Sequence, residues 1–295
     1  MCVTGGTGFI GPRVVHALRS EDRQVRALVR SASSRGAQQL RNWGVELVEG
    51  DVGRPDDLRA AVEGVETVVH LVAILTGRPQ AFERLMSGAT RELVSAAQSA
   101  GVRRLVLMSA LGASEATKDL VPYYGAKWAM EQAVKGSSLE HVIFRPSFVF
   151  GPDGGALKQF KQLARFAPVT PIVGSGTQRI QPIWIDDVAA YFAAAIDSPE
   201  AAGRTFELGG PDVVTWNEFW ELLKKTLGVR RPSVHVPTGL LRAQAALLER
   251  LPNPPVTRDQ LTMLEAGDNV VSNDDAVRVF QLPLVPLADQ LRRAA

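Results

Sequence analysis

With a single cysteine, Cys2, the chain holds no partner for an intramolecular disulfide, and a reducing cytoplasmic location is the expectation. The four histidines, His16, His70, His141 and His235, are scattered, and neither H-x-x-x-H nor C-x-x-C spacing occurs, so no metal centre is expected. No apolar run approaches the ~18 residues needed to cross a bilayer, which argues against an integral membrane segment. The start also lacks the basic-then-apolar pattern of a signal peptide. A formal net charge of +2 gives no strong field for nucleic acid or acidic lipid. No basic surface interleaved with aromatics is visible, and nucleic acid is not an expected partner. The early arginines Arg19, Arg23, Arg26, Arg35 and Arg41 read as a solvated face; Arg30 is treated separately. What remains is ordinary globular material, 45% hydrophobic and 22% charged over 295 residues, enough for a large core in one or two domains.

Against that background the opening is informative. Thr4-Gly5-Gly6-Thr7-Gly8-Phe9-Ile10-Gly11 is a G-x-x-G-x-x-G pattern, preceded by apolar Val3 and followed by a helix-like run over 12–20. A strand, a glycine turn and a helix in that order form a dinucleotide-binding turn. Gly5 allows the tight turn, Gly8 lets backbone N–H groups approach a pyrophosphate, and Gly11 lets the helix pack close to the sheet. Thr7, Phe9 and Ile10 fall in the same loop, and the helix N-terminus presents its positive end to the phosphates. Only four residues precede Gly5, so the first strand is either short or begins upstream of Met1.

Strand-like segments at 24–29, 45–49, 65–75, 102–109 and 141–144 alternate with helix-like segments at 36–43, 55–63, 80–100 and 121–135. Such alternation implies an α/β protein with a Rossmann-type, doubly wound parallel sheet. Past Gly151 the pattern changes. The division expected is a dinucleotide-binding domain, 1–150, and a smaller, mainly helical C-terminal substrate lobe, 151–295, over the carboxyl ends of the strands, where ligands sit in such sheets. About 178–198, read as a strand over 180–185 and a helix over 187–196, is expected to return to the main sheet. Thr215-x-x-Glu218 and Thr257-x-x-Gln260 are capping boxes that open further helices. Leu240, Leu241, Leu247, Leu248 and Leu251 mark a leucine-rich helix expected to cover the substrate cleft.

Several residues carry chemistry. Val29-Arg30-Ser31 closes the second strand, where an acid would favour NAD; a cation and a hydroxyl suit a ribose 2′-phosphate instead, so NADP(H) is favoured and NAD(H) is second. The alternative for Arg30 is a solvated arginine. Asp51-Val52 follows the third strand, with Asp51 placed to accept from the adenine amine, or else to form a turn before Gly53. Leu71, Val72 and Ala73 are small or apolar, letting backbone pass beneath the nicotinamide-side phosphates. His70 beside them reads as a packed sheet histidine. Tyr123 and Lys127 are spaced i, i+4 on one helix face, and Ser109 ends the fifth strand. Together they suffice for carbonyl reduction: Tyr123 donates a proton, the Lys127 ammonium stabilises the phenolate and binds the nicotinamide ribose, and Ser109 orients the carbonyl. Tyr124 is the second choice of acid, and a surface tyrosine with a capping serine is the alternative.

The glycine turn, Gly50-Asp51-Val52, Ser109, Tyr123-Tyr124-Gly125-Ala126-Lys127 and Arg145-Pro146 together resemble the short-chain dehydrogenase/reductase superfamily, in its extended or atypical branch. More narrowly, the chain is similar to bacterial relatives of the nucleotide-binding accessory subunit of respiratory complex I. That similarity runs through Met108-Ser109-Ala110-Leu111-Gly112-Ala113, Gln181-Pro182-Ile183-Trp184-Ile185-Asp186-Asp187-Val188, Phe206-Glu207-Leu208-Gly209-Gly210-Pro211 and Leu251-Pro252-Asn253-Pro254-Pro255-Val256-Thr257. The resemblance implies a Rossmann domain, bound NADP(H), and Arg145 and Pro146 beside the cofactor. It leaves two functions open: an oxidoreductase or epimerase-like enzyme acting on a carbonyl or alcohol of a small-molecule substrate, and a non-catalytic NADP(H)-binding protein. The partners it implies are a second copy of the chain, as a homodimer, or a respiratory complex.

Overall fold

The computed structural model describes residues 1–249 and 257–295. Residues 251–256 of the proline-rich motif, and Leu251 of the leucine-rich segment, lie outside the described residues.

The chain starts with a short buried strand, β1 (Cys2–Thr4), and the glycine turn leads into α1 (Gly11–Ser20). Pro12 opens α1, where a missing N–H costs nothing, and Val14, Val15 and Leu18 form its buried stripe. There follow β2 (Arg26–Val29), α2 (Arg35–Asn42), β3 (Glu46–Glu49), α3 (Pro55–Val62) and β4 (Thr67–His70). Ser34 caps α2, its hydroxyl accepting from Ala37 N–H at 3.3 Å. The long helix expected over 80–100 is broken into Pro79–Phe82, a π-helical turn at Glu83–Ser87, and α4 (Gly88–Ser99). Gly88 permits that turn: a Cβ there would lie 2.7 Å from the Glu83 carbonyl oxygen. The unit continues with β5 (Arg104–Met108), α5 (Pro122–Lys135), β6 (Glu140–Pro146), α6 (Ile185–Ala194) and β7 (Arg204–Leu208).

The seven strands are parallel throughout, in the order β7-β6-β5-β4-β1-β2-β3. This is the doubly wound α/β Rossmann sheet that the alternation implies. Its order reverses at β1, and the crevice at such a point, outside the carboxyl ends of the strands, is where dinucleotides bind. All five residues of β5 and all four of β4 are buried, as the apolar runs require. Phe144 of β6 anchors an aromatic cluster with Tyr191, Phe192, Phe206 and Phe280, ring centroids 4.9–6.0 Å away.

Two details differ from the expectations. The strand read over 65–75 stops at His70; past Leu71 the burial is lost in part, with Val72 and Ile74 half-buried and Ala73 and Leu75 exposed. The segment 180–185 does not join the main sheet. Arg179–Ile180 pairs antiparallel with Val214–Thr215, Ile183–Trp184 pairs with Val149–Phe150, and the seventh strand is β7.

The chain divides into two compact units: Met1–Pro146, Ile185–Leu208 and Asn273–Pro283 form one, and Ser147–Trp184, Gly209–Ser272 and Leu284–Ala295 the other. The second unit is built on helices Gly155–Phe166 and Trp216–Leu227, whose Phe160, Trp216, Phe219 and Trp220 rings interlock at 5.4–5.6 Å. Both capping boxes form as their sequences imply. In the helix Thr238–Leu248, Leu240 and Leu247 are exposed.

Candidate functional site

The glycine turn is built by close backbone approach. Gly5 has φ +79°, and a Cβ on it would lie 3.0 Å from the backbone of Leu71 and Val72. Gly8 N–H donates to the Gly5 carbonyl at 3.0 Å. A Cβ on Gly11 would lie 2.3 Å from the Gly5 oxygen and 2.5 Å from the Gly6 carbonyl carbon, so no other residue fits there without moving the turn. Thr7, Gly8 and Phe9 are exposed and Ile10 is half-buried, and α1 carries no acidic residue in its first turn. An exposed, glycine-opened backbone at an uncompensated helix N-terminus fits a pyrophosphate.

On the adenosine side, Arg30 is exposed just past β2. Asp51 forms the turn that is its alternative reading, its Oδ1 accepting from Gly53 N–H at 2.7 Å, while its own N–H donates to Asp57 Oδ2 at 2.8 Å. Arg84 stands 3.9 Å from Asp51 Oδ1. Val52, Gly53, Arg84 and Gly88 line a shallow pocket beside it. Leu71 is buried against the turn, Val72 is half-buried and Ala73 exposed.

The third group lies at the ends of β5 and β6, against α5. Lys127 is fully buried, and its Nζ donates to the Met108 carbonyl at 2.6 Å. Burial pushes its ammonium down to about 7, against a smaller upward pull from Glu131. Tyr123 is one turn before it, buried, and its phenol is pushed up by desolvation. Ser109, also buried, donates from Oγ to Glu131 Oε1 at 2.6 Å. Glu131 is fully buried and receives Arg145 on both oxygens, Nε at 2.8 Å and Nη2 at 2.7 Å, with Lys135 Nζ at 3.1 Å. Burial raises the Glu131 carboxyl, but the bonds from Arg145 and Ser109 outweigh it and hold it below the usual carboxylate range. Pro146 closes the group, its carbonyl accepting from Leu111 N–H at 3.0 Å.

His70 is a sheet histidine. Thr90 Oγ donates to the Met86 carbonyl, so it accepts from His70 Nε2–H at 3.0 Å, and Nδ1 accepts from Thr4 Oγ at 2.6 Å. Burial, helped by Lys127, lowers its pKa to about 3 and keeps it neutral. Among the described residues no group of three or more His, Cys, Asp or Glu side chains is placed to hold a metal, and no helix is long and apolar enough to cross a membrane.

Glu131 was not among the sequence candidates. Its signal was there: Tyr123, Lys127 and Glu131 repeat at i, i+4 and i+8, a polar series on the helix face that packs inward.

A Rossmann sheet with a glycine turn at its switch point fits an NAD(P)-binding, reductase-like protein. The chain belongs to the NAD(P)H-binding family, which it matches over residues 5–199. It is 31% identical over 247 residues to the ceramide reductase of Caulobacter vibrioides, covering 83% of this chain and 76% of that one. It is 30% identical over 299 residues to NADH dehydrogenase [ubiquinone] 1 alpha subcomplex subunit 9 of Arabidopsis thaliana, covering 96% of this chain and 73% of that one. In fold it is similar to the NADPH-dependent quinone oxidoreductase QOR2 of Escherichia coli, solved with NADPH, at a TM-score of 0.79 and 21% identity over 98% of both chains. The Arabidopsis relative bears out the resemblance to the complex I accessory subunit, and the fold is one shared with a solved quinone oxidoreductase. The cofactor class is NAD(P)(H).

Proposed function

We propose that the protein is an NADP-dependent oxidoreductase of the short-chain type, acting on a carbonyl or alcohol group of a small molecule. The observation that carries this is the placement of Tyr123 and Lys127 on one turn of α5, with the Lys127 ammonium seated at the carboxyl end of β5. Bound NADPH would supply a hydride to the carbonyl carbon. Tyr123 gives its hydroxyl proton to the carbonyl oxygen. Lys127, which titrates near neutrality, stabilises the resulting phenolate and binds the nicotinamide ribose. Ser109 acts as a positioning residue, because its proton is committed to Glu131. Gly5, Thr7, Gly8, Phe9, Ile10 and Gly11 cradle the pyrophosphate, with the backbone of Leu71, Val72 and Ala73 beneath it. Arg30 meets the 2′-phosphate. Asp51, through the oxygen not used in its turn, and Val52 hold the adenine, while Arg145 and Pro146 shape the nicotinamide end. We assign substrate recognition to the second unit, and the reductase names of the relatives favour an apolar carbonyl or quinone substrate. A cytoplasmic homodimer is the setting we assign.

A second reading, a structural NADP(H)-binding protein beside a respiratory complex, is favoured by one observation: both Ser109 and Lys127 direct their donors to groups of the protein itself. The Arabidopsis relative points the same way. The test is mass spectrometry of nucleotide carried through purification, followed by a carbonyl and quinone screen with Tyr123→Phe alongside. We expect cofactor affinity to hold and turnover to fall ~10²–10⁴-fold. A true substrate whose turnover survives the substitution would remove Tyr123 from the mechanism and assign the proton to a different acid.

A further inference from the structure

The segment after β2 is folded by its own polar groups. Ser31 Oγ lies 2.9 Å from Ser33 Oγ, Ser34 N–H donates to the Ser31 carbonyl at 3.2 Å, and Gln38 Nε2 donates to the Ala32 carbonyl at 3.0 Å. Gly36, in the first turn of α2, packs on the glycine turn: a Cβ there would lie 3.3 Å from Thr7 Cβ. Residues 30–36 therefore flank the crevice at the carboxyl end of β2, where the adenine ribose of a dinucleotide lies.

An anion of the protein already occupies one donor of this loop. Ala32 N–H donates to Glu49 Oε2 at 2.9 Å. Glu49 is the last residue of β3 and the register neighbour of Val29, so its exposed side chain reaches across from the adjacent strand to the loop that starts at Arg30.

We infer that Glu49 is a cofactor-selectivity residue: its carboxylate holds the Ala32 N–H that a ribose 2′-phosphate would otherwise take, and its charge opposes that phosphate. The inference rests on the NADP reading above. To seat a phosphate beside Arg30, the Glu49 side chain must swing away and give up its hydrogen bond. Even then a like charge stays within a Debye length, ~8–10 Å at moderate salt, of the phosphate. A neutral 2′-hydroxyl meets neither obstacle, and it can donate to the carboxylate. Arg30 and Glu49 thus act in opposite directions on one choice, and Glu49 tempers the preference for NADP(H) that Arg30 confers.

Glu49→Gln separates the two effects. The amide oxygen still accepts from Ala32 N–H, so the loop keeps its fold, and only the charge is lost. NADPH and NADH are titrated by fluorescence against wild type and variant, at low salt and at ~0.5 M salt. The expected result is a roughly three- to tenfold tightening for NADPH at low salt, NADH unchanged or weakened, and a gain that shrinks at high salt. Glu49→Lys, which reverses the charge, should move the ratio of the two dissociation constants further the same way. If wild type prefers NADPH and that ratio is the same in all three chains, the inference falls and the NADP reading stands. If wild type binds NADH as tightly as NADPH, the NADP reading fails, and the role of Glu49 then stands if the ratio moves toward NADPH in Glu49→Gln and falls if it does not.

Discussion

A lysine buried in full and held at about 7 makes the stability of the cofactor-free protein depend on pH in a way that one substitution removes. Displacing a lysine from 10.5 to about 7 corresponds to about 5 kcal/mol of preference for the neutral amine in the folded state. Below pH 7 both folded and unfolded chains carry the proton, and the whole burial penalty opposes folding. Between pH 7 and 10.5 the unfolded chain still binds the proton and the native chain has released it, so stability rises with pH. Lys127→Met abolishes this dependence. It also leaves the Met108 carbonyl without its donor, at about 1–3 kcal/mol. The variant should therefore be the more stable near pH 7, and its advantage should shrink by roughly 3 kcal/mol by pH 10. His70 contributes with the same sign, but between about 3 and 6.5, below this window; the Cys2 thiol, raised by burial to about 12, contributes with the opposite sign at its upper end and cancels in the difference between the two chains. Urea unfolding of both chains at half-unit steps from pH 7 to 10 is the assay. A difference that stays constant across the window would show that Lys127 is protonated in the native state throughout, and the argument for a near-neutral amine would be wrong. The same variant should bind NADPH more weakly, through loss of the ribose contact.

Other perturbations test separate parts of the site. Arg30→Asp should cost roughly tenfold or more of any preference for NADPH over NADH, since it removes an exposed but charge-assisted contact; titration of both cofactors checks it, and an unchanged ratio would make Arg30 a solvated residue. Gly11→Ala puts a methyl group 2.3 Å from the Gly5 oxygen, so nucleotide binding should be lost and the melting temperature lowered; calorimetric titration that recovers wild-type affinity would contradict the close-packed turn. Glu131→Gln leaves the Arg145 guanidinium without its counter-charge in a largely buried setting, and should destabilise the fold by about 3 kcal/mol. Its urea midpoint is the readout, and one equal to that of wild type would mean that this ion pair adds nothing to stability.

Local pattern was enough for much of this protein. The alternation of apolar runs with 3.6-residue periodicity determines a parallel doubly wound sheet, because strands buried on both faces and helices with one buried stripe leave few other ways to pack. The glycine spacing determines the turn, since only glycine tolerates the approach of Gly11 to the Gly5 oxygen. Tyr123 and Lys127 could be placed together because they lie on a single helix, where spacing alone sets the face. The tertiary structure decided whatever depends on partners far apart in the chain. Arg204–Leu208, and not 180–185, became the seventh strand, because β6 offered its free edge to that segment. Ser109 donates its hydrogen bond to Glu131, 22 residues away, and Lys127 found the Met108 carbonyl, 19 residues back. Glu49 met Ala32 only because β3 runs beside β2. A sequence states which donors and acceptors exist. Which of them are already satisfied by the protein, and so which remain for a ligand, is set by contacts that no local pattern encodes.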